Sequence, residues 1–310
     1  QHVVASVAPN AVVTLYINSV LSNTPSATGV LSGITATTSL TIGNASNLTN
    51  RTFDGLLDDV RVYNRALGAA EVRALYNVGA VKYTPPNNLG LVGYWSFNDG
   101  TTTTALDYSG NKNKGTLVNG PVWTNGKLGK ALKFDKDNDI VVATTTKNLN
   151  DLPAITVSAW IKPVSIGDSS RGVIVTKTAG STGVKGWVFN LVGAGGVVNA
   201  IQFGSNYTTT SLVRTSTSNK IQLNQWQHVT VTWDGSTTAS NVLLYVNGVA
   251  ITTYDTTTNA AGTRVSDADS SIMIGNGYAL TGTFDGLIDE VRVYNRALSA
   301  AEVWQLYNAR

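Results

Sequence analysis

The side chains best suited to chemistry here are loop oxygens and indole rings. The loop Asp107-Tyr108-Ser109-Gly110-Asn111-Lys112-Asn113 offers oxygens at Asp107, Asn111 and Asn113, and Asn98-Asp99 lies just upstream. Carboxylates and amide carbonyls so spaced are the donor types of calcium, which takes about six to eight oxygens from flexible loops. The same residues also close turns by accepting local backbone amides. Asp135-Lys136-Asp137-Asn138-Asp139 alternates its acids in a similar way, but it lacks the glycine and closing glutamate of a helix-loop-helix calcium site and reads as a solvated turn. Asp289 poses a sharper demand. Alternation over Leu287–Tyr294 puts Leu287, Asp289, Val291 and Val293 on one strand face, and Ile288, Glu290, Arg292 and Tyr294 on the other. Burying a carboxylate among Leu and Val is expensive, so a cation, a ring of amide donors or a retained proton must neutralise it.

Seven tryptophans are the second resource: Trp95, Trp123, Trp160, Trp187, Trp226, Trp233 and Trp304. Exposed indoles stack on the apolar faces of sugar rings, with Asn, Asp and Gln nearby for the hydroxyls. Trp160 shares a strand face with Thr156, Ser158 and Lys162, opposite Ile155, Val157, Ala159 and Ile161, so it is the candidate ligand-binding ring. Trp187 alternates with Phe189 and Leu191 and reads as core. Hydrolysis of a glycosidic bond needs two carboxyl groups across that bond. The three glutamates are Glu71, Glu290 and Glu302; the first and last stand at helix-capping positions, which leaves Glu290 alone beside Arg292. There is no cysteine and there are two histidines, which excludes disulfides, thiolate metal sites and Cys nucleophiles. The chain reads as a binding protein rather than an enzyme.

The elements that hold these residues are organised by a repeat. FDGLLDDVRVYNRALGAAEVRALYN, from Phe53 to Asn77, returns as FDGLIDEVRVYNRALSAAEVWQLYN, from Phe284 to Asn308, with 20 of 25 positions identical. In each copy a strand of period two passes into a short helix. In the second, Ser299 and Glu302 form a capping box, followed by Val303, Leu306 and Tyr307 at helical spacing. Asp58 is the first-copy equivalent of Asp289. From Leu91 onward about a dozen strands separated by turn signals follow one another within about 220 residues, which predicts an all-β antiparallel β-sandwich or jelly roll. Tyr245-Val246-Asn247-Gly248-Val249 is the clearest hairpin.

Residues 1–82 match only the C-terminal part of that unit. Gln1-His2-Val3 parallels Gln227-His228-Val229, and Leu15-Tyr16-Ile17-Asn18 parallels Leu244-Tyr245-Val246-Asn247. The expectation is a partial copy at 1–82, a Pro-containing linker at 83–89 and a complete domain at 90–310. The first copy is then left with an apolar face and open strand edges, as the tail of a longer tandem-domain protein. The formal charge of +3 is spread without a Lys/Arg cluster, which argues against nucleic acid, and no apolar run is long enough to insert in a membrane. Asn44, Asn47, Asn50 and Asn206 fit the N-glycosylation pattern.

LVGYWSFNDG, ALDYSGNKNKGTL, GKLGKALKFD, ITVSAWIKP, WQHVTVTWDG, LLYVNGV and the repeat, in that order, resemble the laminin-G-like jelly-roll domain of the concanavalin A-like lectin and glucanase superfamily. The resemblance covers Leu91 to Asn308 and, partially, 1–77. It implies neighbouring first and last strands, which brings Asn98, Asp99, Asp107, Asn111 and Asn113 near Asp289 around a structural Ca2+ ion. Hydrolases of the superfamily carry Glu-x-Asp-x-x-Glu on one strand, and no such run occurs here. The resulting expectation is a non-catalytic adhesion module, extracellular or at the cell surface, binding glycans or cell-surface proteins. The competing expectation is a structural, self-associating building block of an extracellular filament or array.

Overall fold

The computed structural model describes residues 2–8, 12–22, 41–44, 52–55, 57, 60–79, 88–100, 103–143, 146–179, 185–193, 196, 198–277 and 280–309. Asp58, Asn47, Asn50 and the expected linker as far as Asn87 lie outside the described residues. The chain divides into two compact units, Gln1–Tyr83 and Thr84–Arg310.

Unit 1 contains β1 (Val3–Val7), β2 (Val13–Ile17), β3 (Val20–Leu21) and α1 (Ala69–Gly79). Its strands form one antiparallel sheet in the order β1-β2-β3. Val72 and Leu67 dock beside Tyr16 in a small core.

Unit 2 opens with β4 (Leu91–Trp95), β5 (Thr104–Ala105), β6 (Gly115–Val118), β7 (Val122–Asn125), β8 (Lys130–Asp135) and β9 (Ile140–Ala143). There follow β10 (Ile155–Pro163), β11 (Arg171–Lys177), β12 (Trp187–Val192), β13 (Ala200–Ser205) and β14 (Leu212–Ser216). The unit closes with β15 (Gln227–Trp233), β16 (Leu243–Val246), β17 (Val249–Ala250), β18 (Tyr254–Thr258), β19 (Ile272–Ile274), β20 (Asp285–Tyr294) and α2 (Ala300–Asn308). One sheet runs β17-β16-β15-β10-β20-β8-β7, with β4 also paired to β20; the other runs β18-β14-β13-β12-β11-β19-β9-β6-β5. All strand pairs are antiparallel, and the inward faces of both sheets share one core built on Trp95, Phe134, Trp187, Phe203, Trp233 and Phe284. The expected antiparallel sandwich is present, and its alternating strands explain it: each lends every second side chain to the core.

One local expectation is corrected. β10 and β20 pair Ile161 with Ile288 and Trp160 with Asp289, but the next pair is Ser158 with Arg292. β20 therefore carries one extra residue. Glu290 adopts a φ of 55° there, a β-bulge that reverses the alternation. Ile288, Val291 and Val293 all face the core, while Asp289 turns to the opposite face with Trp160. Strict alternation had placed Asp289 with Val291 and Val293.

Candidate functional site

Beyond the core, the outward face of β15, β10 and β20 carries a grid of polar and aromatic residues. Cross-strand pairing gives the rows His228, Trp160, Asp289; then Thr230, Ser158, Arg292; then Thr232, Thr156, Tyr294. An outward sheet face is usually wet. Here all nine side chains are buried: the segment after β20 and α2 fold back over this face, with Tyr307 against Trp160 and His228, and the β7–β8 turn lies on Asp289. Thr156 holds that segment, its hydroxyl accepting from Leu298 N and donating to the Arg296 carbonyl. Ser299 and Glu302 form the full capping box at the start of α2, and Arg296 pairs with Glu302 at 2.7 Å.

Trp160, expected as an open sugar platform, is 5% exposed. Its ring lies 5.3 Å from His228 and 5.6 Å from Tyr307 of α2, with Lys127 Nζ 4.7 Å above it. It is on the polar face as expected, but α2 covers it, and an amphipathic helix docking there was not readable from the strand alone. The accessible end of this aromatic series is Trp304, 5.6 Å from Tyr307 and 50% exposed. Exposed Val249 stands nearby on the β16–β17 hairpin, whose Gly248 is so close to Trp304 and Tyr307 that a Cβ there would meet both. Trp304 was not singled out from sequence, though a signal existed: the first copy has Arg73 at this position, off the Val303, Leu306 and Tyr307 stripe.

The grid is under-satisfied. Ser158 Oγ, Trp160 Nε1, His228 Nε2, Asp289 Oδ1 and Tyr294 OH are buried with no protein hydrogen-bond partner. Asp289 Oδ2 accepts the amides of Lys127 and Leu128, both at 2.9 Å. Burial, with the charge of neighbouring Glu290, pushes the Asp289 carboxyl up to about 7 against the pull of those amides. Burial and the positive charge of Arg292 hold His228 down to about 3. Glu290 accepts from Tyr94 OH and Arg292, so the one glutamate outside the caps is spent on an ion pair that is itself buried.

The other candidate oxygens lie around β4 and the β7–β8 turn. Asp107 receives four donors: Tyr94 N and Ser109 N on Oδ1, Asn113 N and Nδ2 on Oδ2. Asn113 is buried, its Oδ1 accepting from Thr146 N and Oγ1. Asn111 Oδ1 accepts from Asn148 at 2.6 Å. Asp99 accepts from Leu106 N and Tyr108 OH, and Asn98 from Lys130 N. Asn98, in the loop after β4, and Asp289 of β20 thus hold the same β7–β8 turn, whereas Asp107, Asn111 and Asn113 knit their own loop to β4. Amide and hydroxyl donors occupy the oxygens that a calcium ion would need, except Asp289 Oδ1. Among the described residues no three His, Asp or Glu side chains form a metal-holding group. In the Asp135–Asp139 turn, Asp139 is buried and, through burial and the charges of Asp135 and Asp137, pushed up to about 6.

Two facing antiparallel sheets with a helix closing one outer face define a lectin-like jelly roll. Residues 1–73 and 135–304 match the laminin G-type model described as the concanavalin A-like lectin/glucanases superfamily, and the chain belongs to that family. No match was found among curated proteins. Among solved structures, the binding domain of Paraclostridial Mosquitocidal Protein 1 is 18% identical, with a TM-score of 0.55 over 71% of this chain and 52% of that one. Domain 4 of AbnA, an extracellular arabinanase from Geobacillus stearothermophilus solved with arabinotriose, is 23% identical, with a TM-score of 0.52 over 70% of this chain and 98% of that one. The botulinum neurotoxin serotype D ligand-binding domain, solved with N-acetylneuraminic acid, is 14% identical, with a TM-score of 0.53 over 72% of this chain and 52% of that one. The chain spans about half the length of the toxin domains it matches. Among the described residues no helix is long and apolar enough to cross a membrane.

Proposed function

We infer that this chain is a non-catalytic, extracellular binding module whose unit 2 takes glycans at Trp304. The observation that carries the reading is Trp304 itself, half exposed at the open end of the ring series that continues through Tyr307, Trp160 and His228. A ring so backed has lost its rotational freedom before a sugar arrives, which lowers the entropic cost of stacking. Gln305 follows it in sequence as a hydrogen-bonding partner for hydroxyls. Arabinotriose and N-acetylneuraminic acid, present in two of the similar structures, define the first probes. Calcium has no place in this reading: of the expected ligand oxygens only Asp289 Oδ1 is open, against the roughly six to eight the ion takes.

The test is retention on immobilised polysaccharides together with fluorescence titration with both sugars. Trp304→Ala, at an exposed helix position, abolishes retention and leaves the melting temperature within a few degrees. Full retention by that variant removes Trp304 from the site.

A further inference from the structure

We propose that Lys177 and Asn150 join in an intramolecular amide bond, which the chain forms on itself with Asp267 as the proton carrier. The inference uses no part of the Trp304 site and stands apart from the glycan reading.

Lysine is seldom fully buried, and a desolvated ammonium is unfavourable unless a neighbour compensates it. Lys177, the last residue of β11, has no exposed side-chain surface, and neither has Asp267 in the loop before β19. Lys177 Nζ donates to three oxygens: Asp267 Oδ1 at 2.8 Å, the Asp267 carbonyl, and Asn150 Oδ1 at 3.2 Å. A nucleophile, a base and a carboxamide therefore meet at one nitrogen. Their surroundings are apolar. Leu149 and Leu152, close to Asn150 in sequence, belong to the core, and so does Trp187, the cross-strand neighbour of Lys177.

Separate elements hold the three groups. Asn150 closes a short helical turn at Lys147–Leu149, its amide bonding to the Lys147 carbonyl. Asp267 is fixed by Asp151: its amide donates to Asp151 Oδ1 at 2.9 Å, and its own Oδ1 accepts Asp151 N at 2.8 Å. Gly186 lets the Asp267 loop approach β11, since a Cβ there would meet the Lys177 carbonyl and stand 3.0 Å from Asp267 Cβ. Such positioning replaces a bimolecular encounter by an intramolecular one, which is the part of amide formation that a fold can supply.

The step balances within the cluster. Lys177 Nζ passes one proton to Asp267, which leaves a neutral amine with a free electron pair. That pair attacks Asn150 Cγ: the Nζ–Cγ bond forms, the Cγ–Nδ2 bond breaks, and a second Nζ proton moves to Nδ2, which departs as ammonia. Asp267 returns its proton to the ammonia and is a carboxylate again, so ammonium leaves and no oxidant is consumed. Asn150 is half-buried, which gives the ammonia a way out. Arg264 completes the charge balance. Its guanidinium lies 3.4 Å from Asp267 Oδ2, so a cation remains beside the carboxylate once the lysine charge is gone.

β10 belongs to one sheet and β11 to the other, and the segment 150–177 contains both. The bond therefore clips the two layers together, the constraint that a disulfide supplies in other chains. This chain has no cysteine.

The test is peptide mapping by mass spectrometry of the purified full chain after prolonged incubation at neutral pH. Trypsin cuts at Arg171, so an unlinked chain yields Asn150 and Lys177 on separate peptides. The expected result is one branched peptide joining them, lighter than its two linear parts by one ammonia. Succinimide formation at an Asn-Gly pair such as Asn247-Gly248 sheds the same mass, so the branch and not the intact mass decides. Asn150→Ala and Lys177→Met yield linear peptides alone, and Asp267→Asn, which keeps the size of the side chain without its charge, slows linkage about a hundredfold or more. Linear peptides alone from the incubated parent overturn the proposal. Linkage in Asp267→Asn at the parent's rate overturns the role of Asp267.

Discussion

Replacing Asp289 by Asn should change the shape of the stability profile with pH. The folded Asp289 carboxyl sits at about 7 against an ordinary 3.8. Its contribution to stability is therefore complete below about pH 4 and is lost as pH rises through 7, because the unfolded chain releases the proton first. With about 1.4 kcal/mol per pH unit for one proton, the loss between pH 4 and 7 is roughly 3 kcal/mol. His228 works in the opposite direction: held at about 3 rather than 6.5, it adds stability as pH rises over nearly the same window. The two slopes cancel in the native protein. Of these two, Asp289→Asn keeps the histidine slope alone, so the variant loses roughly 3 kcal/mol relative to the parent on going from pH 7 to pH 4. For a unit of this size that corresponds to about 6–12 °C. All seven tryptophans lie in unit 2, so their fluorescence reports its melting without contribution from unit 1. Melts at pH 4 to 8 in chelator would refute the reasoning if parent and variant ran parallel.

Two further substitutions test the supports of the fold. Lys177 is fully buried, its Nζ 2.8 Å from Asp267 Oδ1 and 3.2 Å from Asn150 Oδ1, so Lys177→Met, which leaves Asp267 with Arg264 as its cation, should cost the unlinked chain about 1–3 kcal/mol, read as a drop in the unit 2 melt. Ser299→Ala removes the cap of α2 and should cost about 1 kcal/mol, with faster exchange confined to the first turn of that helix.

Much of the fold was legible because it rests on local periodicity. Ile155, Val157, Ala159 and Ile161 face the core as their alternation requires, Trp187, Phe189 and Leu191 do likewise, and the Ser299 capping box formed from four residues in a row. The site was less legible, because it depends on where alternation fails and on what lies above a sheet. A single left-handed residue, Glu290, moved Asp289 to the other face, and no pattern in a Glu-Val-Arg run announces that. Trp160 was placed on the correct face, but the burial of that face comes from a helix more than a hundred residues later. The 107–113 loop shows its oxygens in the sequence, while their partners are mostly backbone amides, whose positions only the folded chain supplies.

The repeat also gives the chain its own reference state. Val62 and Val293 are the same side chain in nearly the same local sequence, one 74% exposed and the other 0%. Ordinarily the effect of a substitution mixes what is lost in the folded protein with what changes in the unfolded one. Between these twins the unfolded contribution is common and subtracts away. The difference between Val62→Thr and Val293→Thr is then a measure of neighbours alone, taken inside one molecule under one set of conditions.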